Sequence, residues 1–419
     1  MAFKPGIFSD KQKDVMLHPD ATINALVGSV RSGKTIASLF SLVFLLPQYP
    51  DGNILLVGKT DKTLYRNIIK PLEDIFGTNE VRFSRGTGEG SLFGHYFMAA
   101  GANDEKAVTK IQGLTLALAY GDEVTTWPES FFNMLVSRLS DQDAKFIGTM
   151  NPDGPYHWFK TNFLDRESEI SLKSWSFLLD ENKNLPPEYV ANLKKFYVGL
   201  WYKRYILGQW VLAEGAIYDM FSEEKHVKPV TQDIWRNIVI KHVSVDYGTS
   251  NPCVFLLWGT DNHHRYLKKE YYYDSKEKGR QKTDAEYADD LINFIGTDDI
   301  QYVVVDPSAA SFKVELAKRG LGVVDADNEV LDGIRDVSTE LSKNLIQIDP
   351  SCVNTIKEFS GYVWDTKAGE RGEDKPIKTS DHALDSLRYY VKTVALYGYS
   401  TTSDYSEDVG YSFTDEYAF

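Results

Sequence analysis

Cysteine is nearly absent. Cys253 and Cys352 are the two in 419 residues, and they stand far apart. That excludes a disulfide framework and a cysteine-rich zinc site, and it makes a reducing cytoplasm the expected setting. Long apolar runs are missing too; stretches such as Leu42 to Leu46 are far too short to span a bilayer. The N-terminus lacks a signal-peptide pattern. Positive charge is in deficit, with 46 Lys and Arg against 60 Asp and Glu, a net charge of -14. Free-standing duplex binders are usually basic, so simple sequence-independent DNA binding is disfavoured, although a local basic groove is not. No internal repeat is visible. What remains is globular, 42% hydrophobic and 25% charged, over a length that suits two domains with separate cores.

The stretch Gly28-Ser29-Val30-Arg31-Ser32-Gly33-Lys34-Thr35 fits G-x-x-x-x-G-K-[ST], the phosphate-binding loop of nucleoside triphosphatases. Ile23 to Val27 before it reads as a buried strand, and Thr35 to Leu46 after it as a helix. A strand feeding a turn aims the first helical N–H groups at an anion. The glycines let backbone wrap phosphates without Cβ clashes. Lys34 is expected to reach the β/γ-phosphates, and the Thr35 hydroxyl to take a Mg²⁺ position. Upstream, the Gln12 amide could read an adenine edge, although a surface glutamine is the plainer reading.

Asn53 to Gly58 reads as a buried parallel strand, Asp61 to Phe76 as a helix, Phe83 to Gly94 as a hairpin and His95 to Ala100 as a strand. Leu116 to Tyr120 is a small, Ala-rich strand running into Gly121-Asp122-Glu123. In that place Asp122 suits a Mg²⁺ ligand, and Glu123 a base that polarises the attacking water. Arg138, on an expected helix, is either a surface residue or an arginine finger acting on a neighbouring subunit's nucleotide, with Arg31 as a rival in cis. Lys145 to Met150 reads as a strand whose tip carries Thr149 and Asn151, placed to sense a γ-phosphate or simply to turn out through Asn151-Pro152.

From residue 171 the character changes. Helices carry Lys194, Lys195, Lys203 and Arg204 among Phe196, Tyr197, Trp201, Tyr202 and Tyr205, a pattern that fits a small helical lid or a nucleic-acid track. Glu214-Gly215-Ala216 reads as a hinge. The α/β pattern then restarts. Lys241 to Asp246 is a strand ending in Asp. Val254 to Trp258 and Tyr266 to Tyr273 are antiparallel strands, with His263 and His264 as turn residues rather than ligands. Thr283 to Ile295 is a helix, and Gln301 to Asp306 is again a strand ending in Asp. A late helix carries His382 and Asp385 on one face, with Leu384, Leu387, Val391 and Val394 as its apolar seam. Asp246, Asp306 and Asp385 in a β-β-β-α-β order suit a metal nuclease of RNase H type, with His382 completing the shell around two divalent ions. Oxygen ligands favour Mg²⁺ or Mn²⁺, and an imidazole tilts the choice toward Mn²⁺. The tail, Tyr397 to Phe419, has no periodicity and reads as a disordered end or a docking segment.

With both halves laid out, the chain resembles the large terminase subunit of tailed double-stranded DNA bacteriophages, nearest to the SPP1-like headful-packaging group. Gly28–Thr35, Ala119–Glu123, Thr149–Pro152, Asp246-Tyr247-Gly248, Asp306-Pro307 and His382–Asp385 carry the likeness. The resemblance implies an α/β chain with an N-terminal P-loop (ASCE/RecA-like) ATPase domain plus a C-terminal RNase H-like nuclease domain. The expected boundaries are 1–170 for the ATPase core, 171–213 for the lid, 214–234 for the hinge, 235–398 for the nuclease and 399–419 for the tail. Gln12, Gly28, Ser29, Arg31, Gly33, Lys34, Thr35, Asp122 and Asn151 would bind ATP with Mg²⁺. Glu123 would catalyse hydrolysis, with Arg138 as trans finger. Implied partners are double-stranded DNA, a small terminase subunit and a portal on a procapsid. The working form would be a ring of five at the portal vertex in the host bacterial cytoplasm, with a monomer in solution and no membrane. Such a ring concentrates modest basic patches around one duplex, which reconciles DNA work with an acidic chain. The rival readings are a helicase-nuclease of repair or recombination, which usually has a second phosphate loop, and a non-cutting nucleotide-gated assembly factor.

Overall fold

The computed structural model describes residues 8–261 and 263–395, so the tail lies outside the described residues. The chain divides into two compact units. The first runs through Leu212 and takes in Lys367–Glu373; the second holds Ala213–Thr366 and resumes at Asp374.

The first unit is built on the strands β1 (Ile23–Gly28), β2 (Ile54–Gly58), β3 (Val81–Ser84), β4 (Glu89–Leu92), β5 (His95–Gly101), β6 (Leu118–Gly121), β7 (Lys145–Met150) and β8 (Leu172–Phe177). They form one eight-stranded sheet in the order β3-β4-β5-β2-β6-β7-β1-β8. It is parallel from β5 to β8, and β3-β4-β5 is an antiparallel meander at one edge. Every residue of β1 and β2 is buried, as expected of parallel strands covered on both faces. Alternate side chains feed two cores. Leu26, Leu56, Tyr120 and Ile147 pack with the helix Lys34–Leu45, while Ala25, Leu55, Ala119 and Phe146 pack with the helix Glu129–Arg138. The smallness of β6 has a packing reason. A Cβ on Gly121 would stand 2.3 Å from Trp127 and 3.0 Å from Phe146, so small residues here make room for that aromatic layer.

Two expectations need correction. The segment 61–76 is one helical stretch but not one α-helix, because a π-turn, Tyr65–Ile69, separates Asp61–Leu64 from Lys70–Phe76. Pro71 has no N–H to give the Asn67 carbonyl, which loosens the ladder there. The lid expected from residue 171 begins later, because Leu172–Phe177 pairs in parallel with β1 as the edge strand β8. The helical part that follows includes Pro187–Phe196 and Gly199–Tyr205. It has a small core of Leu179, Leu185, Tyr189 and Ile206, against which Val30 packs.

The second unit holds β9 (Ile240–Asp246), β10 (Cys253–Thr260), β11 (Arg265–Tyr273), β12 (Tyr302–Val305), β13 (Val323–Asp325) and β14 (Ile346–Ile348). The six-stranded sheet runs β13-β12-β9-β10-β11-β14. β9, β10 and β11 are antiparallel neighbours, the helix Asp284–Ile295 follows, and β12 pairs in parallel with β9. This is the β-β-β-α-β order read from the sequence, with β14 added beside β11. The helix His382–Tyr390 buries Leu384 and Leu387, and the seam continues through the buried Val391 and Val394. Residues of the expected hinge belong to this unit; Ala216 bridges Val363 and the Ile217 N–H donates to the Tyr362 carbonyl.

Candidate functional site

In the first unit β1, β6 and β7 are parallel, with β7 between the other two. Their carboxyl ends therefore share one edge, where ligands of open α/β sheets bind. The phosphate loop, Asp122 and the Thr149–Asn151 tip all leave that edge. The loop's backbone demands glycine twice. At Gly28, φ is 148° and a Cβ would stand 1.9 Å from the Phe177 carbonyl oxygen; at Gly33, φ is 87° and a Cβ would meet Gln12 Nε2 at 2.7 Å. Arg31 also lies at positive φ, 55°. Its carbonyl accepts from Asn182 Nδ2 at 2.8 Å. Ser29 Oγ donates to the Ile206 carbonyl at 2.6 Å, and the Val30 N–H to the Tyr205 carbonyl at 2.9 Å. The loop is thus held from the lid side as well as by its own helix.

Lys34 is buried, and Nζ donates to the Ser29 carbonyl (2.6 Å), the Gly28 carbonyl (3.0 Å) and Asn151 Oδ1 (3.2 Å). Burial lowers its pKa to about 7, against the opposing pull of the Asp122 carboxylate. Asp122 is buried in turn, which pushes its pKa up, opposed by bonds from Thr149 and Asn67. Thr149 Oγ1 donates to Asp122 Oδ1 at 2.6 Å, and Asn67 Nδ2 to Asp122 Oδ2 at 2.9 Å. Lys34, Asn151, Thr149 and Asp122 therefore belong to one polar cluster, with Thr35 half-buried beside it at the helix start. Glu123 follows at φ 57° and opens the turn Val124–Thr126.

Gln12 is already engaged within the fold, and Arg138 stands on the helix expected for it. The Gln12 amide accepts from the Ser9 N–H (2.9 Å) and donates to the Gly33 carbonyl (3.2 Å), so it caps its own helix and braces the loop. Arg138 ends its helix half-exposed, with Nε donating to Ser137 Oγ at 3.2 Å. Asn67 was not foreseen. No motif marks it, because the π-turn that accompanies its bond to Asp122 is not a sequence pattern.

In the second unit β9 and β12 run in parallel, so Asp246 and Asp306 leave neighbouring strand ends. His382 Nδ1 lies 2.8 Å from Asp246 Oδ2. Asp306 Oδ1 accepts from the Ser308 N–H at 2.8 Å, and Oδ2 from Asn328 Nδ2 (3.2 Å) and the Tyr389 hydroxyl (3.1 Å). Asp385 takes two cations, Lys378 Nζ and Arg388 Nη2, each at 2.9 Å. The Tyr389 hydroxyl, which donates to Asp306, is pushed up by burial and by the charges of Asp246, Asp385 and Asp306. Burial pushes the Asp246 carboxyl up, and Asp385 adds to it. Burial opposes charge on His382, but its bond to Asp246 lifts its pKa above the usual value. Asp306 is also penalised by burial, yet its bonds from Ser308 hold it below the usual range. As placed, no three His, Cys, Asp or Glu side chains among the described residues form a ready metal cage. The carboxylates are spread among Lys378, Arg388, Tyr389 and His382 instead. The donor set is nonetheless of hard oxygen type, and a cation is what would relieve a buried Asp246 flanked by Asp385. Lys378, Tyr389 and Asn328 escaped the sequence reading. Arg388 could have been seen from its i,i+3 spacing to Asp385.

A family model described as the T4likevirus-type terminase large subunit, N-terminal, matches residues 25–225. A second, the terminase RNase H-like domain, matches 263–393. A solved large terminase from a thermophilic bacteriophage is 42% identical, with a TM-score of 0.88, over 93% of this chain and 100% of that one. The chain belongs to the large terminase family. The same thermophilic phage's large terminase has also been solved with ADP, at 41% identity and a TM-score of 0.86, and with ATP-γ-S, at 41% and 0.85; each match covers 93% of this chain and 100% of the other. None of the curated proteins matches the chain. As a large terminase it is a phage DNA-packaging motor, an ATPase and an endonuclease. The helicase-nuclease and assembly-factor readings give way to this one. No helix among the described residues is long and apolar enough to cross a membrane.

Proposed function

We propose that the polar cluster around Lys34 hydrolyses ATP and that Asp246, Asp306 and Asp385, with His382, cut DNA. The observation that carries the first half is the convergence of Lys34, Asn151, Thr149 and Asp122 on one sheet edge. Gly28, Ser29, Arg31 and Gly33 shape the loop, Thr35 and Asp122 would hold Mg²⁺, and Glu123 orients and deprotonates water. ATP with Mg²⁺ would supply the transferable phosphoryl group and neutralise its charge. Phosphate would compete with Asn151 for Lys34 and so loosen that one tie between the loop and the β7 tip. Two Mg²⁺ or Mn²⁺ ions at the second site would activate water and steady the leaving 3′-oxygen. There Lys378 offsets the charge of Asp385, and His382 pairs with Asp246. Gln12 supports the loop and would read adenine only with the N–H and lone pair that Gly33 and Ser9 leave over.

Arg138, half-exposed at a helix end, suits a finger offered to a neighbouring subunit in a ring of five at the portal vertex. A small terminase subunit and the portal complete that assembly in the host cytoplasm. The test adds the phage's procapsids and DNA to the purified chain. Phosphate release is expected to rise on assembly, and Arg138→Ala to remove about 10³-fold or more of the assembled rate while sparing the slow basal rate. Full assembled activity in Arg138→Ala would remove the finger.

The depressed Lys34 gives a second expectation. Its pKa is about 7 in the nucleotide-free loop, and phosphate contact favours the charged form. At pH 8 the free lysine is mostly neutral, so binding must take up a proton; the uptake shrinks as pH falls through 7. Titration calorimetry of metal-free ADP in buffers of different ionisation heat should show uptake approaching one proton at pH 8. No uptake would contradict the placement of Lys34.

A further inference from the structure

The helix His382–Tyr390 carries two of the nuclease side chains, yet its N-terminus has no cap of its own: Asp381 makes no side-chain capping bond. Its leading N–H groups need partners. A remote acid supplies them. Glu358 Oε2 accepts from the Ala383 N–H at 2.8 Å and the Leu384 N–H at 3.1 Å, while Oε1 accepts from the Tyr272 hydroxyl at 3.0 Å. Glu358 is 4% exposed. It sits on the helix Val353–Gly361, which also lacks a side-chain cap from its own Cys352. There too a distant carboxylate does the work. Glu270 takes the Asn354 N–H (2.7 Å) and the Thr355 N–H (2.9 Å), and both side chains as well.

The two links start from one strand. Glu270 and Tyr272 alternate on β11 and so share a face. Tyr272 pairs with Val254, and Val254 with Asp246, which puts Tyr272 and Asp246 in one row across the sheet. The circuit then closes: Asp246, across the sheet to Tyr272, Glu358, the first turn of the late helix, His382, and back to Asp246 at 2.8 Å. A carboxylate on a helix N-terminus is favoured by the helix dipole. Losing one that satisfies two buried N–H groups and a half-buried hydroxyl leaves those donors with the cost of desolvation.

We propose that Glu358 is a positioning residue for DNA cutting: braced by Tyr272, it clamps the first turn of the late helix and so sets where His382 and Asp385 stand relative to Asp246. This rests on the nuclease reading above. Glu358 touches no reacting group.

The test uses the full chain, supercoiled plasmid and a Mn²⁺ titration, with phosphate release and thermal melting on the same preparations. In Glu358→Ala, cutting is expected to fall, or the Mn²⁺ half-saturation to rise, by about 10- to 100-fold, with phosphate release unchanged. Glu358→Gln keeps an oxygen for both N–H groups and is expected to recover most of the loss. Wild-type metal dependence in a folded Glu358→Ala overturns the proposal, and so does a Gln variant as impaired as Ala. If Glu358→Ala does not fold, Glu358→Asp carries the test. It keeps the charge but withdraws it by one methylene, and must show a raised Mn²⁺ half-saturation; wild-type behaviour overturns the clamp. A wild-type chain that cuts nothing overturns the nuclease reading itself, and the clamp with it.

Discussion

Glu123→Gln is expected to lower steady-state phosphate release by about 10²- to 10⁴-fold, the range a positioned general base contributes, while nucleotide still binds. Two acids stand side by side at the end of β6 in different surroundings. Asp122 is buried, turned toward Lys34 and bonded by Thr149 and Asn67. Glu123 stands at φ 57°, is only half-buried and breaks the strand's alternation. Glutamine has the same shape and cannot take a proton, so the loss should fall on turnover and spare affinity. Equilibrium binding of ADP beside single-turnover hydrolysis separates the two. A Gln variant that hydrolyses at the wild-type rate would move the base elsewhere.

Asp246→Asn is the second large effect. Plasmid cutting should fall by about 10³-fold or more, since removing a metal-holding anion forfeits several kcal/mol of transition-state stabilisation. Phosphate release should not change. Asp246 ends β9, is paired with His382 and shares its surroundings with Asp385. Asparagine fits the space but brings no charge to hold an ion. It also removes the partner whose bond raises the pKa of His382. Assaying both activities on one preparation guards against a folding defect. Wild-type cutting in Asp246→Asn would remove it from the metal site.

The strands and the phosphate loop were legible because their signals are local. Ile54 to Val57 is a continuous apolar run, and Gly28 to Thr35 is a full motif whose glycines have a backbone reason. Asp246 and Asp306 were legible because an acid at the end of an apolar strand leaves at a defined edge. The misses are non-local. Leu172–Phe177 follows a helical stretch and precedes helices, and only its pairing with β1 makes it a strand of the main sheet. Asn67 reaches Asp122 beside a π-turn that accompanies a missing proline N–H. Lys378, Tyr389 and Glu358 act across turns or between elements, at separations no periodicity reports. Gln12 shows the converse: its position suggested a base-reading role, but a local capping bond to Ser9 claims part of its amide.

One chain carries two separate metal-dependent phosphoryl chemistries. The most direct measurement takes the purified full chain, supercoiled plasmid and Mn²⁺, without nucleotide, beside Asp306→Asn. Nicked and then linear DNA is expected from the wild type and intact plasmid from the variant, with equal phosphate release from both when ATP is added. Equal cutting by the two, or phosphate release with no cutting under Mn²⁺ or Mg²⁺ by a folded wild-type chain, would contradict it.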